Sequence, residues 1–184
     1  DAEDFSTKYY GNNQVWGPDK KEALHGTHVA GIIAQVRGNN LGGDGVATNV
    51  EIMAIRAVPN GDEYDKDIAL AIRYAADNGA KVINLSLGGG NADPAFSAAI
   101  DNARNNGAIL VIAAGNETNN NDASPAYPCS YTQSNIICVA ALTQTYAKAS
   151  FSNWGATSVD VGAPGVNIVS AWPGTVANLN TSMT

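Results

Sequence analysis

His25 and Ser182 are the residues of this chain best suited to covalent chemistry. The first lies in His25-Gly26-Thr27-His28-Val29-Ala30-Gly31 near the start, and the second in Asn180-Thr181-Ser182-Met183-Thr184 at the end. A base and a nucleophile so distant in sequence cooperate only if folding joins them, the usual situation for an acyl-transfer site. Such a site also needs fixed donors for the oxyanion of the tetrahedral intermediate. The sequence offers each part. Ser182 would attack, and His25 would take its proton and return it to the leaving amine. The Asn116 carboxamide, with the Ser182 backbone N–H, would hold the oxyanion. Hydrolysis is therefore the leading expectation.

The elements that must position these groups follow from periodicity. Val29, Ile32, Ile33 and Val36 recur at i, i+3, i+4 and i+7, which predicts a helix over 25–36 with one buried face. Gly26 and Gly31 each cost about 1 kcal/mol relative to alanine inside a helix, so the backbone around His25 is expected to be crowded. Residues 50–58 read as a strand. Residues 65–78 read as a helix with Ile68, Ala71, Ile72 and Ala75 on one face and Gly79 as its stop, followed by a strand over 81–87. The unit then recurs. Asp93-Pro94 supplies a cap and a first-turn proline, Phe96, Ile100 and Ala103 form the buried stripe, Gly107 ends the helix, and 109–114 is a strand. Short strands are expected at 136–142, 159–161 and 166–172.

Alternating helices and strands, the strands nearly all apolar, imply an α/β fold with a mostly parallel central sheet covered by helices on both faces. No linker divides residues 1–184, so a single domain is expected. Ligands of such sheets bind beyond the carboxyl ends of the strands. Two strands nominate their exits there, Ser86-Leu87-Gly88-Gly89-Gly90 and Ala113-Ala114-Gly115-Asn116.

Several tracts occur in the order found in the subtilisin-like serine proteases, or subtilases. They are the His25–Gly31 tract, Asn84-Leu85-Ser86-Leu87-Gly88-Gly89, Ala113-Ala114-Gly115-Asn116, Phe151-Ser152-Asn153-Trp154-Gly155, Ala163-Pro164-Gly165 and Thr181-Ser182-Met183. The chain resembles that family from about His25 to its last residue. The resemblance implies a three-layer α/β fold and a secreted serine endopeptidase acting on polypeptides. It makes His25 the catalytic histidine, Ser182 the nucleophile and Asn116 the oxyanion residue. It also makes Ser86, Leu87 and Gly88 the edge that pairs with extended substrate, and Ala113, Ala114 and Gly115 one wall of the first specificity pocket, suited to a bulky apolar side chain.

The pattern also departs from the family. Subtilases carry their catalytic Asp in an Asp-Thr/Ser-Gly turn before the histidine. Asp1, Asp4 and Asp19 precede His25 without that context, so no catalytic Asp is assigned. The family reads Gly-Thr-Ser-Met-Ala at the serine, which opens a long helix, whereas Asn180 and Thr184 take the outer positions here. The chain thus resembles a domain trimmed at both ends, expected to be weak or inactive alone. Chemistry needs no cofactor. Structural calcium, which the family often carries, is considered at Gly38-Asn39-Asn40-Leu41-Gly42-Gly43-Asp44-Gly45, although a hard cation needs six or more oxygens. The alternative function is a non-catalytic relative that binds extended peptides.

Composition narrows the partners. With 17 acidic against 10 basic residues, a net charge of −7 and no basic cluster, nucleic acid and anionic membrane surfaces are not expected partners. No apolar run reaches the roughly 20 residues that span a bilayer. Oligomeric state is left open. Cys129 and Cys138 are read either as a disulfide formed in an oxidising compartment or as two buried thiols. His28 and His25 would make a zinc pair only with a third ligand that the sequence does not supply, so no metal ligand is assigned. Neither glycine-rich stretch satisfies G-x-G-x-x-G between strand and helix, which argues against a dinucleotide site.

Overall fold

Two helix–strand repeats organise the chain. In order, the elements are a one-turn 3-10 helix Lys20–Glu22, α1 (Leu24–Ala34), α2 (Asp65–Asp77), β1 (Val82–Leu85), α3 (Pro94–Asn105), β2 (Ile109–Ala113), β3 (Ile136–Leu142), β4 (Val161–Pro164), β5 (Ile168–Ala171) and β6 (Leu179–Met183). The computed structural model describes residues 12–58, 63–174 and 179–183, the last five as backbone only. The chain divides into two compact units: residues 57–165, and a second whose described part is 12–56 and 166–183.

In the first unit each helix starts and stops where its sequence dictates. Asp65 and Asp67 occupy the first turn of α2, where carboxylates complement the helix dipole. Gly79, at φ +91°, carries the chain out of the helix in a conformation that costs other residues more. Asp93 caps α3 by accepting the Ala95 and Phe96 N–H groups at 2.8 and 2.9 Å, an arrangement worth about 1 kcal/mol. Strands β1, β2, β3 and β4 form one parallel sheet in that order. Ile68 and Ile72 of α2 and Phe96 and Ile100 of α3 bury their side chains with Ile83, Leu85, Leu110 and Ile112 of the sheet. Each such side chain contributes on the order of 1.5–3 kcal/mol by leaving water.

The parallel register decides what the sheet presents. Leu85 is paired with Ile112, and Ile112 with Cys138, so β1 and β2 end level with each other. Cys129 and Cys138 are joined in a disulfide with a Cα–Cα distance of 5.3 Å, selecting the bonded reading.

In the second unit α1 packs on β5, and β5 pairs antiparallel with β6, placing Ile168 opposite Met183 and Ser170 opposite Asn180. The close approach falls at Gly31, where an added Cβ would meet the Ser170 hydroxyl and lie 2.9 Å from the Ala171 Cβ. Gly26 has nothing within 4 Å among the described residues, so the expected crowding belongs one turn further along α1 than His25.

Three sequence expectations are corrected. Residues 50–58 form no strand; Val50, Ile52 and Met53 are 49%, 46% and 43% exposed. An apolar segment becomes a strand only where a neighbour takes its N–H and C=O groups, and no described segment does so here. The strand expected at 159–161 begins at Val161 and runs to Pro164, because Asp160 is engaged by Cys138 N–H through its carboxylate at 2.7 Å. Helix α1 stops at Ala34, since Gln35 turns to ψ 134°.

Candidate active site

His25 lies in the first turn of α1, exposed to solvent. One turn later His28 is 2% exposed and hydrogen-bonds the Ile168 carbonyl through Nε2 at 3.1 Å. A carbonyl only accepts, so Nε2 carries the proton. The Ser170 hydroxyl donates to the His28 carbonyl at 2.7 Å, and the His28 ring meets Trp172 edge-on at 6.4 Å between centroids. His28 is thus a buried anchor of α1 on β5, as a structural histidine would be. Partial desolvation, and secondarily the like charge of His28, hold the pKa of His25 below its ordinary 6.5. Its imidazole is accordingly neutral at pH 7, the state a general base requires.

Ser182 lies in β6, the strand paired with β5, so His25 and Ser182 belong to the same unit. Its side chain falls outside the described residues. The serine occupies an extended strand and not a helix start. Asp19 caps the 3-10 helix by accepting Lys21 N–H at 2.9 Å, while Asp1 and Asp4 lie outside the described residues.

The remaining candidates belong to the first unit, at the carboxyl ends of β1 and β2. Ser86-Leu87-Gly88 leaves β1, with the Ser86 hydroxyl accepting from Asn84 Nδ2 at 2.9 Å. The segment is held by Gly89 N–H donating to the Tyr127 carbonyl at 3.0 Å. A Cβ on Gly88 would stand 3.6 Å from the Tyr127 carbonyl and 3.7 Å from that of Ala113, so this strand exit runs beside the next. Ala113 is exposed, whereas Ala114 is 2% exposed and packs in the core. Gly115 turns the chain at φ +112°, and a Cβ there would collide with the Asn153 carboxamide and the Glu117 carboxylate. Asn116 follows, exposed, its N–H donating to Glu117 Oε2 at 3.0 Å. Beside it, a cleft of about 500 Å³ is lined by Gly89, Gly90, Glu117, Asn119, Ser124 and Asn153.

Sequence reasoning missed Asn153, which is 0% exposed. Its Oδ1 accepts from Glu117 and Asn119 N–H groups at 2.9 Å each, and its Nδ2 donates to the Ala114 carbonyl at 3.0 Å and to Glu117 Oε2 at 2.7 Å. The signal was present in Phe151-Ser152-Asn153-Trp154-Gly155, but nothing local tied it to Asn116.

The 38–45 loop gives little to a cation. Asp44 Oδ1 accepts Gly38 N–H and Asn39 Oδ1 accepts Leu41 N–H, both at 2.9 Å, while the Arg37 guanidinium donates to the Gly45 carbonyl. Two of the side-chain oxygens thus accept backbone N–H groups with a guanidinium beside them, whereas a hard cation takes six or more oxygens. Among the described residues no cluster of three His, Cys, Asp or Glu is placed to hold a metal.

A parallel sheet flanked by helices, with glycine-rich exits at its carboxyl edge and a histidine opening a helix, defines a three-layer α/β protein of the subtilisin-like kind. The family model described as the Subtilase family matches residues 1–184, and the chain belongs to that family. Thermitase of Thermoactinomyces vulgaris is 46% identical over 162 residues, covering 86% of this chain and 56% of that protein. A thermophilic serine proteinase of Bacillus sp. (strain AK1) is 49% identical over 151 residues, covering 82% of this chain and 36% of that protein. Among solved structures, a protease of Pseudoalteromonas arctica PAMC 21717 superposes with a TM-score of 0.77 at 32% identity, over 86% of this chain and 53% of that one. The chain therefore spans 36% and 56% of the length of these two curated relatives.

Proposed function

We propose that this protein is a serine endopeptidase that cleaves polypeptides through a seryl acyl-enzyme. Ser182 is the nucleophile, His25 is the general base and then the general acid, and the Asn116 carboxamide stabilises the oxyanion together with the Ser182 N–H. Bound substrate lies extended along Ser86-Leu87-Gly88, in the manner of an added strand. Ala113, Ala114 and Gly115, which carry no large side chain, flank the first specificity pocket. Residues 1–184 act as one peptidase domain.

The observation that carries the reading is the placement of His25 on α1, a helix packed against the β5–β6 pair whose second strand holds Ser182. A neutral imidazole accepts the serine proton without first losing one of its own, so its lowered pKa supports the same role. The disulfide Cys129–Cys138 supports secretion into an oxidising compartment, and one relative, from Dichelobacter nodosus, bears the name extracellular basic protease. Ser182 in a strand lacks the helix dipole at its N–H, so turnover by the 184-residue chain alone is slow. Hydrolysis of a peptide anilide tests the proposal. Ser182→Ala and His25→Ala should each reduce it by orders of magnitude, to the residual catalysis that binding and the oxyanion donors supply alone, and undiminished turnover in Ser182→Ala overturns the assignment.

A further inference from the structure

We infer that Asn153 is a positioning residue that aims Asn116 at the oxyanion, acting through Glu117. The inference rests on the proposed role of Asn116 and extends it. Asn116 is exposed on a bend, and a donor is useful only if it is fixed before the charge develops. What fixes it lies a long way along the chain. The Asn153 carboxamide has no exposed surface, yet all four of its hydrogen bonds go to the residues around Asn116: the Ala114 carbonyl before it, the Glu117 carboxylate and N–H beside it, and the Asn119 N–H after it. Glu117 Oε2 in turn accepts the N–H of Asn116 itself at 3.0 Å. One buried amide therefore reaches the donor through a single intermediary, at every point by a bond of 3.0 Å or less.

The residue types are matched to this task. Oδ1 accepts only and Nδ2 donates only, so the two backbone N–H groups and the two acceptors sort themselves onto opposite ends of one planar group. An aspartate would keep the N–H acceptors but set a carboxylate against Glu117 Oε2 at the present 2.7 Å. A leucine would leave two part-buried N–H groups and the Ala114 carbonyl without this partner. Gly115 is part of the same device, because a Cβ there would strike both Asn153 and Glu117.

The loop does not depend on Asn153 to exist. Backbone bonds from Asn153 N–H to Gly115 O, Thr118 N–H to Phe151 O, Trp154 N–H to Asn119 O and Asn121 N–H to Trp154 O hold the 115–121 and 151–154 segments together independently, at 2.7 to 2.9 Å. Losing the side chain should thus misplace Asn116 and leave the segment paired. Misplacing a group by about 1 Å can cost up to about 100-fold in rate.

The test is a double-mutant cycle on peptide-anilide hydrolysis, using Asn153→Ala and Asn116→Ala. Asn153→Ala alone should lower kcat by about 10- to 100-fold with KM changed less than about 2-fold, and should cost less than about 2-fold once Asn116 is already alanine. An equal loss in both backgrounds would mean a merely structural role and would overturn the inference. If instead Asn116→Ala alone costs nothing, the oxyanion assignment itself fails, which is a separate result. Asn153→Asp, close to isosteric, covers the case in which the alanine variant does not fold. Its kcat should lie well below that of the unchanged protein because two carboxylates face each other at 2.7 Å, and Glu117→Gln added to it should restore kcat by presenting an amide to the new carboxylate. A kcat that Glu117→Gln does not restore would equally overturn the inference.

Discussion

The Cys129–Cys138 bridge closes a short loop, and its contribution can be worked from that loop's length. A sequence separation of 9 gives, in the chain-entropy account, about 2.6 kcal/mol at 25 °C withheld from the unfolded state. For a chain of this size, denaturation by urea has a slope of about 2 kcal/mol per molar, so cleaving the bridge should lower the midpoint by about 1.3 M. Cys138 is 0% exposed in the core, and Cys129 follows the Tyr127-Pro128 segment whose Tyr127 carbonyl takes the Gly89 N–H. The same bond thus ties the support of the proposed substrate edge to β3. The assay is urea unfolding followed by circular dichroism, with and without reductant, which leaves both sulfur atoms in place. The Cys129→Ala/Cys138→Ala double variant should lie lower still, by the cost of the cavity. A midpoint that moves by less than about 0.3 M on full reduction would refute the reasoning, since a bridge that constrains this loop cannot be removed at so little cost.

Further outcomes follow from other sites. In an NMR titration the His25 ring should protonate with a midpoint below 6.5, and His28→Gln, which removes the like charge, should raise it; a midpoint above 6.5 would contradict the partial desolvation described. The Ser158 side chain above all, then the Thr157 hydroxyl and the Ala156 and Thr157 N–H groups, hold the Asp122 carboxyl well below the usual range. Its stabilisation is complete above the unfolded pKa near 4 and is lost as pH falls from there toward the depressed folded value. The gap in unfolding midpoint between the protein and Asp122→Asn should therefore narrow below about pH 4, and a gap that widens on acidification would contradict this. Gly31→Ala should destabilise by about 1–3 kcal/mol through contact with Ser170 and Ala171, despite alanine's better helix propensity; a rise in melting temperature would show that α1 does not seat on β5 as described.

How much was legible beforehand depended on how local each determinant is. Helices α2 and α3 were readable because apolar stripe and glycine stop lie within one stretch, from Asp65 to Gly79 and, with the Asp93 cap added, from Asp93 to Gly107. Strand β3 was readable from its unbroken run Ile136–Leu142. The 50–58 segment has strand composition, but pairing is a property of two segments, and no described segment supplies the second. Spacing could not decide between thiols and a disulfide at Cys129 and Cys138, because what brings them together is β3 lying beside the 127–130 segment. Asn116 was nominated from its place after a strand. The network that fixes it was not, since Asn153 meets Glu117 across 36 positions and looks in sequence like any loop asparagine. Gly26 and Gly31 are identical as letters, and only the packing of α1 on β5 distinguishes the crowded one.

The central claim is that the Ser182 hydroxyl is activated by the His25 imidazole. Covalent labelling with a fluorophosphonate, followed by mass spectrometry of the peptide that contains position 182, tests it most directly. The account predicts a single phosphonylated residue, Ser182, with the adduct lost in Ser182→Ala and its rate of formation greatly reduced in His25→Ala. Extended peptides that bind while Ser182 stays unmodified, or labelling that proceeds equally fast without His25, would contradict it.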